Sequence, residues 1–200
     1  MPRPETTYMS DLSKNEVRDI IISVLVVAFV FAVPNFGLFP FFIVAVIIAF
    51  LFHELAHRYF ARKFGAVAVF KMWPPGLLIG LAAALLGFKF VAPGAVVIYP
   101  FKFGRWGFRR VELSMTELGI ISIAGIAVNL IFAIAFLPLS GTLMFGTLDF
   151  FRQLSFVNAF LAAFNLIPIP PLDGSKVFKW KPWFWALIML LAVLLVISFF

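Results

Sequence analysis

The two histidines of this 200-residue chain stand four positions apart in His53-Glu54-Leu55-Ala56-His57. On a helix that spacing sets two imidazoles one turn apart, with Cβ atoms roughly 5–6 Å from each other. Both rings can then face one Zn2+ while Glu54 stays beside the attacking water as general base. A catalytic zinc takes three protein ligands and keeps a fourth position open. The chain has no cysteine and no third histidine, so the missing ligand must be a carboxylate. Of the nine acidic residues, Glu5, Asp11, Glu16 and Asp19 lie in a polar N-terminal stretch, Asp149 in a loop, and Glu112 and Glu117 at the start of an apolar run. With Glu54 taken as the base, Asp173 remains, which gives one zinc per chain held by His53, His57 and Asp173.

Asp173 ends the run Asn165-Leu166-Ile167-Pro168-Ile169-Pro170-Pro171-Leu172-Asp173-Gly174. An Asp-Gly pair alone reads as a turn, but a turn explains neither the three prolines nor Asn165. Prolines break a helix and leave carbonyls unpaired, which a membrane tolerates only around a lined cavity. Such an unwound segment can aim Asp173 sideways at a metal. Asn165 and Asn129 are amides within apolar segments. Each could hold substrate or an oxyanion, or join two helices. Asn158 reads as structural.

The elements that must position these residues are membrane segments. Hydrophobic residues make up 64% of the chain and charged ones 12%, about half the charge of a soluble domain. That excludes disorder, a coiled coil and nucleic-acid binding, and the lack of cysteine excludes disulfides and thiol catalysis. Residues 1–19 form a polar, cytoplasmic tail. Ser13-Lys14-Asn15-Glu16 has capping-box spacing and predicts a helix starting there, which carries Ile20 to Val33 through the bilayer. A signal peptide is the competing reading, but the tail is acidic and no A-x-A site follows. Further spans are expected at Leu38–Lys63, Thr116–Leu137, from Phe150 to the proline run, and at Pro182–Phe200. Between the second and third, Met72 to Phe88 predicts a short inserted helix, with Gly76, Gly80 and Ala84 as a close-packing stripe. Phe88 to Tyr99 predicts a β-rich, re-entrant segment. The fold expected is therefore an all-α polytopic membrane protein with about five transmembrane helices, residues 20–200 forming one domain. With the N-terminus cytoplasmic and the C-terminus outside, fifteen of the sixteen Lys and Arg lie inside and only Arg152 outside, as the positive-inside rule requires.

HELAH followed more than a hundred residues later by NLIPIPPLDG resembles the site-2 protease family of intramembrane zinc metalloproteases, over roughly Leu38 to Lys179. The resemblance implies His53, His57 and Asp173 as zinc ligands, Glu54 as catalytic base and Asn165 as a substrate contact. It also likens the stretch up to Tyr99 to the family's membrane-edge strand. There Val96, Val97 and Ile98 would pair with an unwound substrate by strand addition. The family's third span often reads A-G-P-x-x-N, whereas here Ala124-Gly125-Ile126-Ala127-Val128-Asn129 keeps the Asn without the Pro. Within these residues there is no room for the PDZ or CBS domain that many relatives carry. The activity implied is hydrolysis of transmembrane protein substrates near the cytoplasmic side of the cell membrane. A metal-ion transporter or metal-sensing membrane protein is the alternative, but it predicts ligands spread along a pathway rather than gathered at one depth.

Overall fold

The computed structural model describes residues 4–89, 92–99, 101–104, 107–110, 112–145 and 148–200. Along the chain, α1 (Pro4–Ala32) is followed by a 3-10 turn (Phe36–Leu38), α2 (Phe39–Val46), a π-helical turn (Ile47–Leu51) and α3 (Phe52–Lys63). Then come β1 (Val67–Met72), α4 (Pro74–Leu85), β2 (Gly94–Tyr99), β3 (Phe101–Gly104) and β4 (Gly107–Arg110). The remainder is α5 (Met115–Phe136), β5 (Met144–Phe145), β6 (Leu148–Asp149), α6 (Phe150–Asn165), α7 (Asp173–Trp180) and α8 (Pro182–Ile197). β1 pairs with β2, while β3–β4 and β5–β6 are antiparallel pairs. The extended segment expected from Phe88 is strand only from Gly94, and its residues 90 and 91 lie outside the described residues.

Among the described residues, two stretches are long and apolar enough to cross a bilayer, Phe36–Lys63 and Met115–Leu139. The chain is thus a mostly helical membrane protein. α4, at 12 residues, reaches about 18 Å, and α6 and α8, at 16 residues each, about 24 Å. All three fall short of a hydrocarbon core of about 30 Å. α8 nonetheless exposes Leu187, Leu190, Leu194 and Ile197, a surface suited to lipid rather than water.

The structure divides into two compact units, Met1–Val46 with Ala68–Tyr99, and Ile47–Val67 with Pro100–Phe200. In the first, α1 packs against α2 and α4, with Val27, Ala28, Val30, Phe31, Phe42 and Phe70 buried. Gly76, Gly80 and Ala84 are all buried on α4, as the small-residue spacing predicts. The helix start expected at Ser13 is not observed, because α1 runs unbroken from Pro4. Glu16, which would close that capping box, instead accepts a hydrogen bond from the Phe70 N–H at 2.9 Å, and Asp19 accepts one from Met72 N–H at 3.3 Å. These two carboxylates are buried and anchor β1. At the other end of α1, the Lys89 ammonium donates to the carbonyls of Val30, Phe31 and Val33, which a helix C-terminus leaves unpaired. Pro93-Gly94 does not form a hairpin turn. Gly94 opens β2, and a Cβ there would lie 2.8 Å from the Met72 Cα, so glycine is required by the close approach of two backbones.

In the second unit α5 packs against α3, α6 and α7. Its start is fixed by a capping box in which Ser114 Oγ accepts from Glu117 N–H at 3.2 Å and Glu117 accepts from Ser114 N–H at 2.7 Å. The core joins Ile126 and Leu130 of α5 to Ala162 of α6, Leu166, Val177 of α7 and Ala192 of α8. At Gly119 a Cβ would stand 2.5 Å from Trp180 Cγ, so α7 seats its indole where α5 has no side chain. The proline run between α6 and α7 is irregular, as expected. Its geometry is held by Trp185 Nε1, which donates to the Leu166 carbonyl at 2.6 Å, and by Gly174, whose bare Cα rests against the same carbonyl.

Candidate metal centre

His53, Glu54 and His57 lie in the first two turns of α3 and are buried, at 3%, 8% and 3% exposure. The proline run carries the chain from α6 to Asp173, the first residue of α7. The Nε2 atoms of His53 and His57 are 2.8 Å apart. Asp173 Oδ2 lies 2.8 Å from His57 Nε2 and 3.4 Å from His53 Nε2. Among the described residues these three form the group able to hold a metal ion, their donor atoms within 4.8 Å of one another.

The far side of each imidazole shows which nitrogen carries the proton. His57 Nδ1 is 2.7 Å from the Ile121 carbonyl, which can only accept. His53 Nδ1 is 2.5 Å from Asn129 Oδ1. That amide's orientation is set by its own bonds, since Asn129 Nδ2 donates to Ala49 O at 2.8 Å and to Asn158 Oδ1 at 3.0 Å. Asn158 Nδ2 donates in turn to Leu154 O at 2.9 Å. Both Nδ1 atoms are therefore donors, and in neutral rings both Nε2 atoms present lone pairs. Two lone pairs and a carboxylate oxygen then converge on one point, an arrangement that repels itself until a cation fills it. Imidazoles fixed through Nδ1 by a carbonyl or amide are the usual support of metal-ligating histidines. The residues present fit a zinc ion.

Gly125 clears the space. A Cβ on it would lie 2.6 Å from His57 Nε2 and 2.8 Å from His53 Cε1, inside the ligand cluster. The π-helical turn just before α3 presents the Ala49 carbonyl to Asn129, the kind of local irregularity that recurs at functional sites.

The sequence-predicted residues are thus partly gathered. His53, Glu54 and His57 share α3, and Asp173 is brought to the two histidines. Asn129 is fully buried and holds His53, which supports the structural of its two expected roles. Asn165 ends α6 with its Nδ2 donating to Leu161 O at 3.0 Å, one turn back. Val96, Val97 and Ile98 lie in β2, half-buried and paired with β1. Sequence reasoning passed over the roles of Gly125 and the Ile121 carbonyl, whereas Asn158, read there as structural, is the link to Asn129. Only Gly125 left a sign, because a glycine inside a helix is unfavourable by about 1 kcal/mol and asks for a reason.

Residues 140–188, which carry Asp173, match the model of peptidase family M50. The chain is 41% identical over 181 residues to the protein named "Putative zinc metalloprotease MJ0611" of Methanocaldococcus jannaschii, covering 88% of this chain and 90% of that one. It is 30% identical over 165 residues to "Putative zinc metalloprotease YwhC" of Bacillus subtilis, covering 72% and 69%. No solved structure matches the chain significantly. With 41% identity sustained over 90% of a relative's length, and the M50 model falling on the segment that leads to Asp173, the chain belongs to peptidase family M50, the family of the site-2 proteases.

Proposed function

We propose that this chain is an intramembrane zinc endopeptidase, its metal held by His53, His57 and Asp173, that cuts transmembrane protein substrates near the cytoplasmic face of the bilayer. The observation that carries the metal centre is the convergence of two Nε2 lone pairs and Asp173 Oδ2 behind anchored Nδ1 atoms. Membership in a peptidase family favours hydrolysis over metal transport. When bound, zinc supplies Lewis acidity for the scissile carbonyl and lowers the pKa of water towards about 7. Glu54 accepts the proton that the attacking water gives up as its oxygen bonds the carbonyl carbon, and returns it to the amine nitrogen as the C–N bond breaks. His53 and His57 keep their Nδ1 protons throughout, committed to Asn129 and Ile121.

A membrane helix satisfies its own backbone hydrogen bonds and so shields its carbonyls. The substrate must therefore unwind. β2 offers an extended edge on which an unwound segment can pair through Val96, Val97 and Ile98, and Asn165 is the proposed polar contact to it. The test of the catalytic assignment is Glu54→Gln, compared with the native chain on a tagged single-span substrate. Zinc content should be unchanged and cleavage lost by a factor of about 100 or more, the range of a positioned acid–base group. Substantial turnover in this variant would give the proton transfer to another residue.

A further inference from the structure

We propose that Lys176 is a positioning residue of the metal centre: it holds one carboxylate oxygen of Asp173 so that the other alone faces the metal. The inference rests on the metal-centre reading above and adds a residue to it. Asp173 and Lys176 are one turn apart on α7, and Lys176 Nζ lies 3.1 Å from Asp173 Oδ1. The other oxygen, Oδ2, is the one 2.8 Å from His57 Nε2 and 3.4 Å from His53 Nε2. The carboxylate is divided, with one oxygen toward the imidazoles and one toward the ammonium.

An ion pair three residues apart on an exposed helix is worth only a few tenths of a kcal/mol. This pair differs in its surroundings. The Asp173 side chain is 13% exposed and that of Lys176 33%, so water screens it less than a surface pair. Its geometry also has a chemical consequence. A carboxylate with two free oxygens can grip a metal with both, taking up the position that a catalytic zinc keeps open. The ammonium, with three donors and no acceptor, occupies Oδ1 and leaves two imidazoles and one oxygen as the protein's ligands. The remaining position stays free for water and substrate. Partners of ligating carboxylates commonly set metal affinity by about 10–100-fold.

The test uses the full chain in detergent, stripped of metal, as native protein, Lys176→Met, Lys176→Arg and His57→Ala. Three quantities are read: zinc affinity against a competing chelator, the visible absorption of the Co2+-substituted protein, and thermal unfolding of the metal-free forms. Lys176→Met should show the fainter cobalt bands of a raised coordination number and a zinc affinity changed by about 10–100-fold. Its metal-free unfolding should match the native chain, and Lys176→Arg should restore most of the affinity and spectrum. Native affinity and an unchanged cobalt spectrum in Lys176→Met would overturn the inference while leaving the metal centre intact. A loss matched by destabilised metal-free protein and not rescued by Arg would overturn it too, since that marks a role in α7 alone. Native zinc affinity in His57→Ala would instead overturn the metal centre itself.

Discussion

Asn129 decides how His53 meets a metal. Its Oδ1 takes the His53 Nδ1 proton, while both of its amide hydrogens are committed to Ala49 O and Asn158 Oδ1. Asn129→Ala removes the acceptor and leaves a buried N–H without a partner, so His53 is free to turn or to change tautomer. Zinc affinity should fall by about 10–100-fold, and at saturating zinc the substrate KM should stay near that of the native chain. Unchanged zinc affinity with a raised KM would return Asn129 to the substrate side. At this scale the sequence was informative where chemistry is local. The histidine pair and Glu54 sit within five residues, and Asp173 was reachable by eliminating the other acids. The support of the ligands was not legible, because the bond from His53 to Asn129 spans 76 residues and that from His57 to Ile121 spans 64. Both depend on which face α5 turns toward α3, and no residue type announces a backbone carbonyl as a partner.

At the scale of elements, helices were readable where a long apolar run met a breaker, as with α5, α6, α8 and the proline run before α7. A capping signal misled at α1 because Glu16 has a stronger use in binding the Phe70 N–H of β1. The same S-x-x-E spacing at Ser114 and Glu117 does cap α5, and nothing in four residues tells the two cases apart. Strand β2 was expected from its β-branched residues, whereas its partner β1, Val67–Met72, was not. That pairing shapes the test of substrate docking. In a two-stranded sheet successive residues turn their N–H groups to opposite sides, so of Val96 and Val97 one bonds toward β1 and the other toward the open edge. Proline deletes a ladder donor. Of Val96→Pro and Val97→Pro, one should destabilise the protein. The other should leave zinc binding and thermal unfolding unchanged and slow cleavage about tenfold or more, as expected from losing one backbone bond worth about 1.4 kcal/mol. If neither variant slows cleavage while remaining folded, β2 is not the substrate's strand.

For the whole molecule, helix length and charge meet at the number of bilayer crossings. Length and apolarity qualify Phe36–Lys63 and Met115–Leu139, whereas the charge count asks for five crossings. α6, which with α8 is the shortest of the five at 16 residues, must cross if Arg152 lies outside and Lys176, Lys179 and Lys181 inside. A bilayer can thin around a short helix at a fraction of a kcal/mol per Å, and α6 continues into the unwound proline run, so length does not forbid it. The absence of cysteine makes the question answerable with single introduced thiols. Gly65 and Gly141 are poor positions because their φ values are 82° and 83°, where a side chain strains the backbone. Exposed Phe36, Thr142, Lys63, Glu112 and Lys179 serve instead. Thiols at 36 and 142 should react with impermeant reagent added outside intact cells, and those at 63, 112 and 179 only after the membrane is opened. The pair 63 and 112 brackets α4, so protection of both means that α4 enters and leaves on one side. The pair 142 and 179 brackets α6, so reaction at the first with protection at the second means that α6 crosses. Reaction of 179 from outside would put Asp173 on the outer face, and with it the site of cutting.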